Sequence, residues 1–321
     1  MGKHNQREEY GKALVALGER NPDVVVLEAD LGNSTRSILF QQAYPDRYFE
    51  MGIAEQDMTS FAGGLALAGK IPFTNTFAVF AAGRAYDQIR QSIATAGLNV
   101  KIVGSSSGFS DFGDGATHQA IDDMAIMSAI PNMTVLAPCD APETVKAVEE
   151  AVKIDGPVYI RLCRNDLEDI FPQDVPYRPG EPVVLREGKD LAAFTTGIMA
   201  HQALAAADIL AREGISLKVV HMPGIKPVNE EAVMEQAAGM RGVITCEEHS
   251  IRGGLSMLLS YLLRNEGIPM ECVAVGDMFG QSAASHEQLL SFYGLDAPAI
   301  CHRARKLYLQ KAACEHFENP K

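Results

Sequence analysis

The sequence predicts two α/β domains, each with a doubly wound, mostly parallel sheet flanked by helices. Three observations support this fold class. Short apolar runs typical of buried strands alternate with helical segments along most of the chain. A stretch with four prolines among charged residues, 166–187, interrupts that alternation, which then resumes. The length of 321 residues and the hydrophobic content of 47% are sufficient for two cores of ordinary size.

The first domain is predicted to span residues 1–165. Val24 to Leu27 is an uninterrupted apolar run and indicates a buried strand, and Pro142 suits the first turn of a helix. The predicted strands are 24–27, 72–77, 100–104, 134–136 and 158–161. The predicted helices are 7–18, 54–69, 83–96, 118–129 and 142–152.

The stretch 166–187 is interpreted as an interdomain linker. A second, smaller α/β domain follows at 188–312, and residues 313–321 are interpreted as a tail. The predicted strands of this domain are 191–195, 217–221, 242–247 and 271–276. Its predicted helices are 199–213, 229–238 and 253–265.

Composition and charge exclude several classes of protein. A formal net charge of −13 argues against a nucleic-acid partner, because phosphate backbones are bound by basic surfaces. The N-terminus lacks the apolar region of a signal peptide, and no apolar run is long enough to cross a membrane. The six cysteines show no paired spacing, so reduced thiols in a cytoplasmic protein are expected, rather than disulfides or a metal site.

Ligands of doubly wound sheets bind outside the carboxyl ends of the strands. The corresponding loops here are 28–35, 50–56, 77–83, 104–118 and 161–166. All five lie in the first domain and carry most of the chain's distinctive polar residues. We therefore expect the site at this edge of the first sheet.

Taken singly, the residues on these loops are each compatible with a functional role and with a purely structural one. Glu55 opens a helix, where a carboxylate could simply interact with the helix N-terminus. Phe77 and Phe80 could form a flat apolar pocket or pack in the core. Asp114 and His118 could contact a substrate hydroxyl or shuttle a proton, or they could be a helix cap and a surface residue.

Three further polar residues lie at a helix start and on two of the loops: Arg7, Ser34 and Arg164. Arginine side chains suit phosphate or another oxyanion. Taken one at a time, however, arginines are also commonly found in surface ion pairs.

Several stretches together resemble the C-terminal half of transketolase, in order and over nearly the whole chain. Deoxyxylulose-phosphate synthase shares the Arg-Ala-Tyr-Asp-Gln run and much of the rest. The matching stretches are Met51–Gln56, Thr76–Phe80, Arg84–Arg90, Asp114–Gln119, Ile130–Asn132, Glu247–Gly254 and Tyr293–Ala297.

The resemblance implies a pyrimidine-binding domain and a transketolase C-terminal domain, without the N-terminal domain that binds diphosphate and Mg²⁺ in full-length members. It thus implies the second subunit of a split transketolase, two copies of which would join two copies of a separate partner subunit. The implied cofactor is thiamine diphosphate with Mg²⁺, held mainly by the partner. The implied reaction, in pentose phosphate metabolism, moves a two-carbon ketol unit from a ketose, phosphorylated in the usual case, to an aldose.

The resemblance also assigns roles around the cofactor. Glu55 matches the catalytic glutamate that hydrogen-bonds N1′ of the aminopyrimidine and favours its imino tautomer. Phe77 and Phe80 match aromatic residues that pack against the pyrimidine. Tyr86 lies near the position of a third aromatic residue of that loop, and Asp30 matches an acidic residue of the cofactor and dimer region.

For the substrate, His118 matches a catalytic histidine that contacts the hydroxyls of the donor ketose. Asp114 matches an aspartate that reads the configuration of the α-hydroxyl. The residues that hold the substrate phosphate in the family match Arg7, Ser34 and Arg164.

Two features depart from the family pattern or limit it. The family usually has a further phosphate-binding histidine on this loop, and Ser106 is the residue nearest to that position. Phosphate binding is therefore expected to be weaker or altered, and a substrate with another anionic tail remains an alternative. The run Gly113–Gly115 resembles the start of a metal–diphosphate motif, but the required asparagine is missing downstream. No metal ligand is therefore expected in this chain.

Two rival functions remain open at this point. One is a deoxyxylulose-phosphate-synthase-like or 2-oxo-acid dehydrogenase-type subunit, although a decarboxylating enzyme needs no reader of donor hydroxyls such as Asp114 and His118. The other is a non-catalytic scaffold that keeps the fold, against which the joint presence of Glu55, Phe77, Asp114 and His118 argues.

Overall fold

The fold class predicted from the alternation is confirmed: two mostly parallel sheets carry helices on their faces. The structure is a computed structural model that describes residues 2–318, with side chains described through residue 310. The strands are β1 (Lys3–Asn5), β2 (Val24–Glu28), β3 (Tyr48–Glu50), β4 (Ile71–Phe77), β5 (Lys101–Ser105), β6 (Thr134–Leu136), β7 (Val158–Arg161), β8 (Asp166–Glu168), β9 (Val183–Arg186), β10 (Leu191–Thr196), β11 (Leu217–Met222), β12 (Gly224–Lys226), β13 (Gly242–Ser250) and β14 (Met270–Val275).

Helices connect most of these strands, and two segments of the helical region after β4 are π-helical, Phe80–Arg84 and Ile89–Ala94. Short 3₁₀ turns lie at Pro45–Arg47 and Gly115–Thr117. The α-helices are α1 (Gln6–Arg20), α2 (Gly32–Thr35), α3 (Ile38–Ala43), α4 (Glu55–Leu67), α5 (Tyr86–Gln88), α6 (Asp123–Ser128), α7 (Ala141–Ala151), α8 (Met199–Arg212), α9 (Glu230–Ala237), α10 (Leu255–Leu262), α11 (His286–Phe292) and α12 (Ala297–Glu318).

Local sequence explains the ends and buried faces of the helices. The Asn5 side chain accepts a hydrogen bond from the Arg7 N–H and caps α1, whose Tyr10, Leu14 and Leu17 recur at helical spacing and are buried. Asp140 caps α7 in the same way by accepting from the Glu143 N–H at 2.8 Å. Capping and apolar spacing therefore fix which face of each helix meets the sheet.

The first sheet has the strand order β12-β6-β7-β5-β4-β2-β3, and all pairs except β12–β6 are parallel. Its register aligns the carboxyl ends of neighbouring strands: Glu28 pairs with Glu50, and Phe77 pairs with Ser105. Loops that follow these strands must therefore emerge side by side. The second sheet has the order β14-β13-β10-β11-β9, in which only β9 is antiparallel to its neighbour.

Several elements differ from the sequence-based expectation. Strand β9 lies inside the predicted linker 166–187 and belongs to the second sheet, and β8 in the same stretch pairs with β1. The helix predicted for 118–129 begins only at Asp123, because the preceding turn is 3₁₀. Helix α12 continues to Glu318, past the predicted start of the tail at 313, and residues 319–321 lie outside the described part of the chain.

The two domains are joined by a buried polar contact that spacing alone did not reveal. Cys139, Glu143 and His221 place one potential metal-ligand atom each within 4.8 Å of one another. The Glu143 carboxylate accepts a hydrogen bond from the Cys139 N–H at 2.6 Å and lies 2.9 Å from His221 Nε2. The Glu143 carboxylate thus has one hydrogen-bond partner in each domain. We therefore interpret the cluster as a contact that links the two domains.

The described residues also bear on the state of the cysteines and on membrane-spanning helices. The five cysteines whose side chains are described are all free, and Cys314 lies among the residues whose side chains are not described. Within residues 2–318, the helices are all too short or too polar to cross a bilayer.

Candidate active site

The site predicted at the carboxyl edge of the first sheet begins with Glu55, the first residue of α4. Its side chain is only 3% exposed, although it lies at the entrance of the helix. The closest cation is Arg84, whose Nη1 lies 3.8 Å from Glu55 Oε2. Among the described residues, the Glu55 carboxylate has no hydrogen-bond donor. An open depression of about 490 Å³ lies beside it, lined also by Arg84 and Gln88.

Phe77 and Phe80 form an aromatic surface that Arg84 links to this carboxylate. The two rings are nearly parallel, with an interplanar angle of 13° and centroids 6.1 Å apart. Phe80 is half-buried and belongs to the π-helical segment after β4. π-Helical turns are uncommon and often occur at functional sites, since they change the direction of a single turn of side chains.

His118 meets the same aromatic surface from another loop. Its ring packs edge-on against Phe80, with centroids 5.3 Å apart, and against Phe77 at 6.2 Å. His118 Nδ1 lies 2.9 Å from Thr117 Oγ1. The histidine is therefore part of the candidate site and is not an isolated surface residue.

Arg84 connects the carboxylate and the aromatic surface, and sequence reasoning did not select it. Its guanidinium lies 5.1 Å from the centroid of the Phe80 ring and also approaches Glu55. The residue was visible within the run Arg84–Arg90, but the run was used only to recognise the family. Its position on the π-helical turn could not be deduced from spacing.

Asp114 lies on the loop that carries His118, with its side chain exposed. It precedes the 3₁₀ turn Gly115–Thr117, but its side chain makes no capping hydrogen bond. The capping alternative for Asp114 therefore has no support in the structure. The carboxylate is free to meet a ligand from solvent.

The predicted anion-binding residues come together at a corner of the same edge. Arg7 Nη1 donates to the Ser34 carbonyl at 2.6 Å, and Arg7 Nη2 donates to the Arg164 carbonyl at 3.0 Å. Arg164 Nη1 donates to Asp111 Oδ2 at 2.7 Å. Burial, followed by the nearby Arg164 charge, lowers the pKa of Arg7 to about 10. Two guanidinium groups thus lie close together, with Asp111 as the carboxylate in contact.

Asp111 is a residue of this corner that the sequence analysis missed. Its side chain is 3% exposed, and burial raises its pKa although Arg164 opposes that effect. No motif distinguishes it from other aspartates on loop 104–118. Its contact with Arg164 arises only because β5 and β7 are neighbours.

Ser106 is fully buried and has a φ of +54°, a left-handed conformation that is strained for a residue with a Cβ. Its hydroxyl is without a hydrogen-bond partner, as are the buried hydroxyls of Thr76 and Ser105 on neighbouring strand ends. Buried polar atoms are normally paired, so unpaired ones at one strand edge indicate a place for water or a polar ligand.

The other two predicted cofactor residues lie farther from the aromatic surface. Asp30 is exposed, has a φ of +62°, and donates its N–H to Glu50 Oε1 at 2.9 Å. Tyr86 is partly buried and packs against the main core. Within the described residues, Tyr86 makes no ring contact with Phe77 or Phe80.

Glu28 is a further buried acid at this edge. Its carboxylate is fully buried and accepts hydrogen bonds from the Ala29 N–H, Thr35 Oγ1 and Ser37 Oγ. Burial raises its pKa to about 7 despite these donors. It holds the loop that carries Ser34.

Comparison with known proteins supports a common origin for this arrangement. Residues 3–169 match the pyrimidine-binding domain of transketolase, and residues 180–300 match the transketolase C-terminal domain. A putative transketolase C-terminal section from Methanocaldococcus jannaschii is 40% identical over 301 residues, covering 92% of this chain and 94% of the relative.

Two further proteins align over nearly their whole length. The 6-deoxy-6-sulfo-D-fructose transketolase subunit SqwH of a Clostridium species is 38% identical over 312 residues, covering 97% of each chain. A solved structure described as a split gene transketolase, inactive beta4 tetramer, superposes with a TM-score of 0.87 at 45% identity and covers 96% of this chain and 99% of that chain. This chain therefore belongs to the transketolase family and corresponds to the second, C-terminal subunit of its split members.

Proposed function

We propose that this subunit works with thiamine diphosphate to transfer a two-carbon ketol unit from an anionic ketose to an aldose. The observation that supports this most directly is the Glu55 carboxylate, which is buried, lacks a hydrogen-bond donor among the described residues and is linked through Arg84 to the Phe80 ring of a nearly parallel aromatic pair. A flat heteroaromatic ring with a nitrogen at its edge would fit this combination.

The residues present fit one half of the cofactor. Thiamine diphosphate supplies a nucleophilic carbon and an electron sink when it is bound. The Glu55 carboxylate would accept a hydrogen bond from N1′–H of the imino form of the aminopyrimidine, and Phe77 and Phe80 would pack against the ring. The chain's one Gly-Asp-Gly run, Gly113–Gly115, lacks the asparagine of a metal–diphosphate motif. We therefore assign the diphosphate and Mg²⁺ mainly to a partner subunit, and no metal ligand to this chain.

The substrate would lie between His118 and the arginine corner. With Nδ1 engaged by Thr117, His118 Nε2 is the nitrogen that would meet a donor hydroxyl. Asp114 would contact a neighbouring hydroxyl, and Arg7 and Arg164 would hold the anionic tail, with Ser34 beside them. Charge-assisted hydrogen bonds from guanidinium groups suit phosphate and sulfonate alike.

The identity of the tail is a separate question. The relative from Clostridium is described as acting on a sulfo sugar. Ser106 adds a small, unpaired, buried hydroxyl directly after β5, and a hydroxyl can donate to either anion. A substrate panel should therefore compare fructose 6-phosphate with 6-deoxy-6-sulfofructose.

A partner subunit is supported by the exposed apolar face of α4. Ile53, which lines the depression beside Glu55, and Leu67, at the other end of α4, are each 75% exposed, and Phe61 between them is 42% exposed. Large apolar side chains exposed along one element commonly mark protein interfaces. The related split gene transketolase is described as an inactive beta4 tetramer. We propose two copies of this chain with two copies of a diphosphate-binding partner, in the cytoplasm.

The partner requirement can be tested by calorimetric titration of thiamine diphosphate with Mg²⁺. We expect binding to the reconstituted complex but little to the chain alone, and we expect Leu67→Lys to prevent complex formation. Leu309→Lys is the matched control, because Leu309 is 66% exposed on a distant helix. Tight Mg²⁺-dependent binding by the chain alone would contradict the proposal.

The role of Glu55 can be tested with Glu55→Gln, which keeps size and removes the carboxylate. We expect turnover by the complex to fall about 10²- to 10⁴-fold, the usual range for loss of a proton-transferring group. Glu19→Gln, the same change at an exposed acid on α1, is the control. Unchanged turnover in Glu55→Gln would favour a scaffold without catalytic function.

The reaction type can be tested with two substrate pairs. Xylulose phosphate with ribose phosphate reports ketol transfer, whereas pyruvate with glyceraldehyde phosphate reports a deoxyxylulose-phosphate-synthase-like reaction. The relatives named above are described as transketolases, which disfavours the second reaction. Turnover of the pyruvate pair alone would overturn our assignment.

A further inference from the structure

The loop that carries Asp114 and His118 belongs to the first domain but rests on the second. Its first part, 104–111, is buried, whereas Asp114 at its tip is exposed. The groups that support it are side chains from β13 and from both ends of α11, and backbone groups of the loop between β14 and α11. None of these supporting residues belongs to the candidate site described above.

Glu248 on β13 provides the central contact. Its side chain is 2% exposed, and its Oε1 accepts a hydrogen bond from the Phe109 N–H at 2.9 Å. The same oxygen lies 2.5 Å from His286 Nε2, at the start of α11. A buried carboxylate between an amide and an imidazole is held firmly, because each hydrogen bond to a charged acceptor is stronger than a neutral one.

The backbone of the loop approaches Glu248 so closely that only glycine fits. Gly108 has a φ of +59°, and a Cβ built on it would lie 2.2 Å from Glu248 Oε2. A side chain at this position would both strain the backbone and collide with the carboxylate. The fit between the loop and β13 is therefore close as well as polar.

Other contacts extend the support along the loop. The Phe109 ring stacks on Tyr293 with centroids 4.3 Å apart and an interplanar angle of 21°. The Ala283 N–H donates to the Phe112 carbonyl at 2.9 Å. Gln119 Nε2 donates to the carbonyls of Asp111 and Gln281, at 3.1 and 3.0 Å.

We propose that Glu248, with His286 and Tyr293, positions loop 104–118 for reading the donor sugar. The C-terminal domain would thus contribute to substrate selection without touching the substrate. This inference rests on the proposed function, since it assumes that Asp114 and His118 contact the donor. It assigns these three residues a positioning role, because they act only through the loop.

The proposal predicts different effects on two properties of the complex, the KM for the donor ketose and the affinity for thiamine diphosphate. Glu55 lies on α4 and Phe77 lies on β4, outside loop 104–118, and the loop reaches the aromatic rings only through His118 at its far end, so we expect cofactor binding to change less than donor binding. Loss of the support should raise KM for the donor ketose and leave the dissociation constant of thiamine diphosphate unchanged. A general loss of stability would instead change both.

The test compares Glu248→Gln, His286→Gln and Tyr293→Leu in the reconstituted complex. Tyr293→Leu removes the stacked ring at a partly exposed position and guards against misfolding of the buried variants. The controls are Glu266→Gln and His302→Gln, which alter exposed residues of the same domain, and Tyr293→Phe, which keeps the ring and removes only the hydrogen bond from its hydroxyl to the Phe279 carbonyl. Hydrogen exchange of the peptide covering 105–118 is measured alongside donor KM and cofactor affinity.

We expect about a tenfold rise in donor KM in each test variant and about tenfold faster exchange at the Phe109 amide in Glu248→Gln. Cofactor affinity should stay within about twofold, and the controls should behave like the parent. Unchanged donor KM and unchanged exchange in the variants, with an active parent, would overturn the inference. An inactive parent complex would instead refute the proposed function, and the exchange measurement would still report whether Glu248 holds the loop.

Discussion

Replacing the buried acid Glu28 should change how the stability of the subunit depends on pH. Burial raises the pKa of Glu28 from 4.5 to about 7, so the folded state holds this proton more tightly than the unfolded state does. The stabilising effect of the proton is therefore fully present below about pH 4.5 and is lost as the pH rises through about 7.

The size of the effect follows from the two pKa values. At 1.36 kcal/mol per pKa unit, ionising Glu28 in the folded protein costs about 3 kcal/mol of unfolding free energy. The side chain is fully buried, so no discount for solvent screening applies. The donors Thr35 and Ser37 already favour the ionised form, and the pKa remains raised in their presence.

The assay is urea unfolding of the parent and of Glu28→Gln at a series of pH values between about 5 and 8, the range that brackets the raised pKa. Other groups titrate over the same range, so the informative quantity is the difference between the two proteins. Over this range that difference should move by about 2.5 kcal/mol in favour of Glu28→Gln, slightly less than the full effect, because the loss has already begun at about pH 5. Glu19→Gln, an exposed acid on α1, should show no such trend. A difference between Glu28→Gln and the parent that is independent of pH would refute the reasoning.

Two further predictions concern the arginine corner and Gly108, in the buried first part of loop 104–118. Arg7→Leu should raise KM for a phosphorylated donor about 10- to 100-fold, because a charge-assisted contact is lost. The KM for an unphosphorylated donor should not change. Steady-state kinetics with both donors measures this, and Arg20→Leu, at an exposed position of the same helix, is the control. Gly108→Ala should reduce the unfolding free energy more than Gly97→Ala, as measured by urea unfolding. Both glycines have a positive φ, of +59° and +63°, but only Gly108 would bring a Cβ against another group, Glu248. Equal losses in the two glycine variants would contradict the close approach of the loop to β13.

Local patterns were sufficient to predict most of the fold. The uninterrupted apolar run of β2 and the capped, amphipathic α1 follow from neighbouring residues alone, and both are confirmed. Strand β9 could not be predicted, because it lies in a proline-rich stretch and is ordered only by pairing with β11. The 3₁₀ turn Gly115–Thr117 likewise depends on contacts of its loop with the second domain.

The candidate site likewise has residues that local sequence reveals and residues that only distant contacts bring together. Glu55 could be found because its motif, Met51–Gln56, is contiguous in sequence. The contact of His118 with Phe80 depends on the adjacency of two strands, and the support from Glu248 depends on the packing of two domains. Contacts of this kind leave no periodic or spacing signal in a single sequence.

Strand β12 has a consequence for how this polypeptide can be divided. It comes from the second half of the chain, yet it pairs with β6 and completes the margin of the first sheet. A fragment ending before residue 180 would leave the backbone groups of Thr134–Leu136 without this neighbour, and an uncovered sheet margin tends to recruit strands from other molecules. The pyrimidine-binding half is thus poorly suited to separate expression, and truncated versions are expected to aggregate.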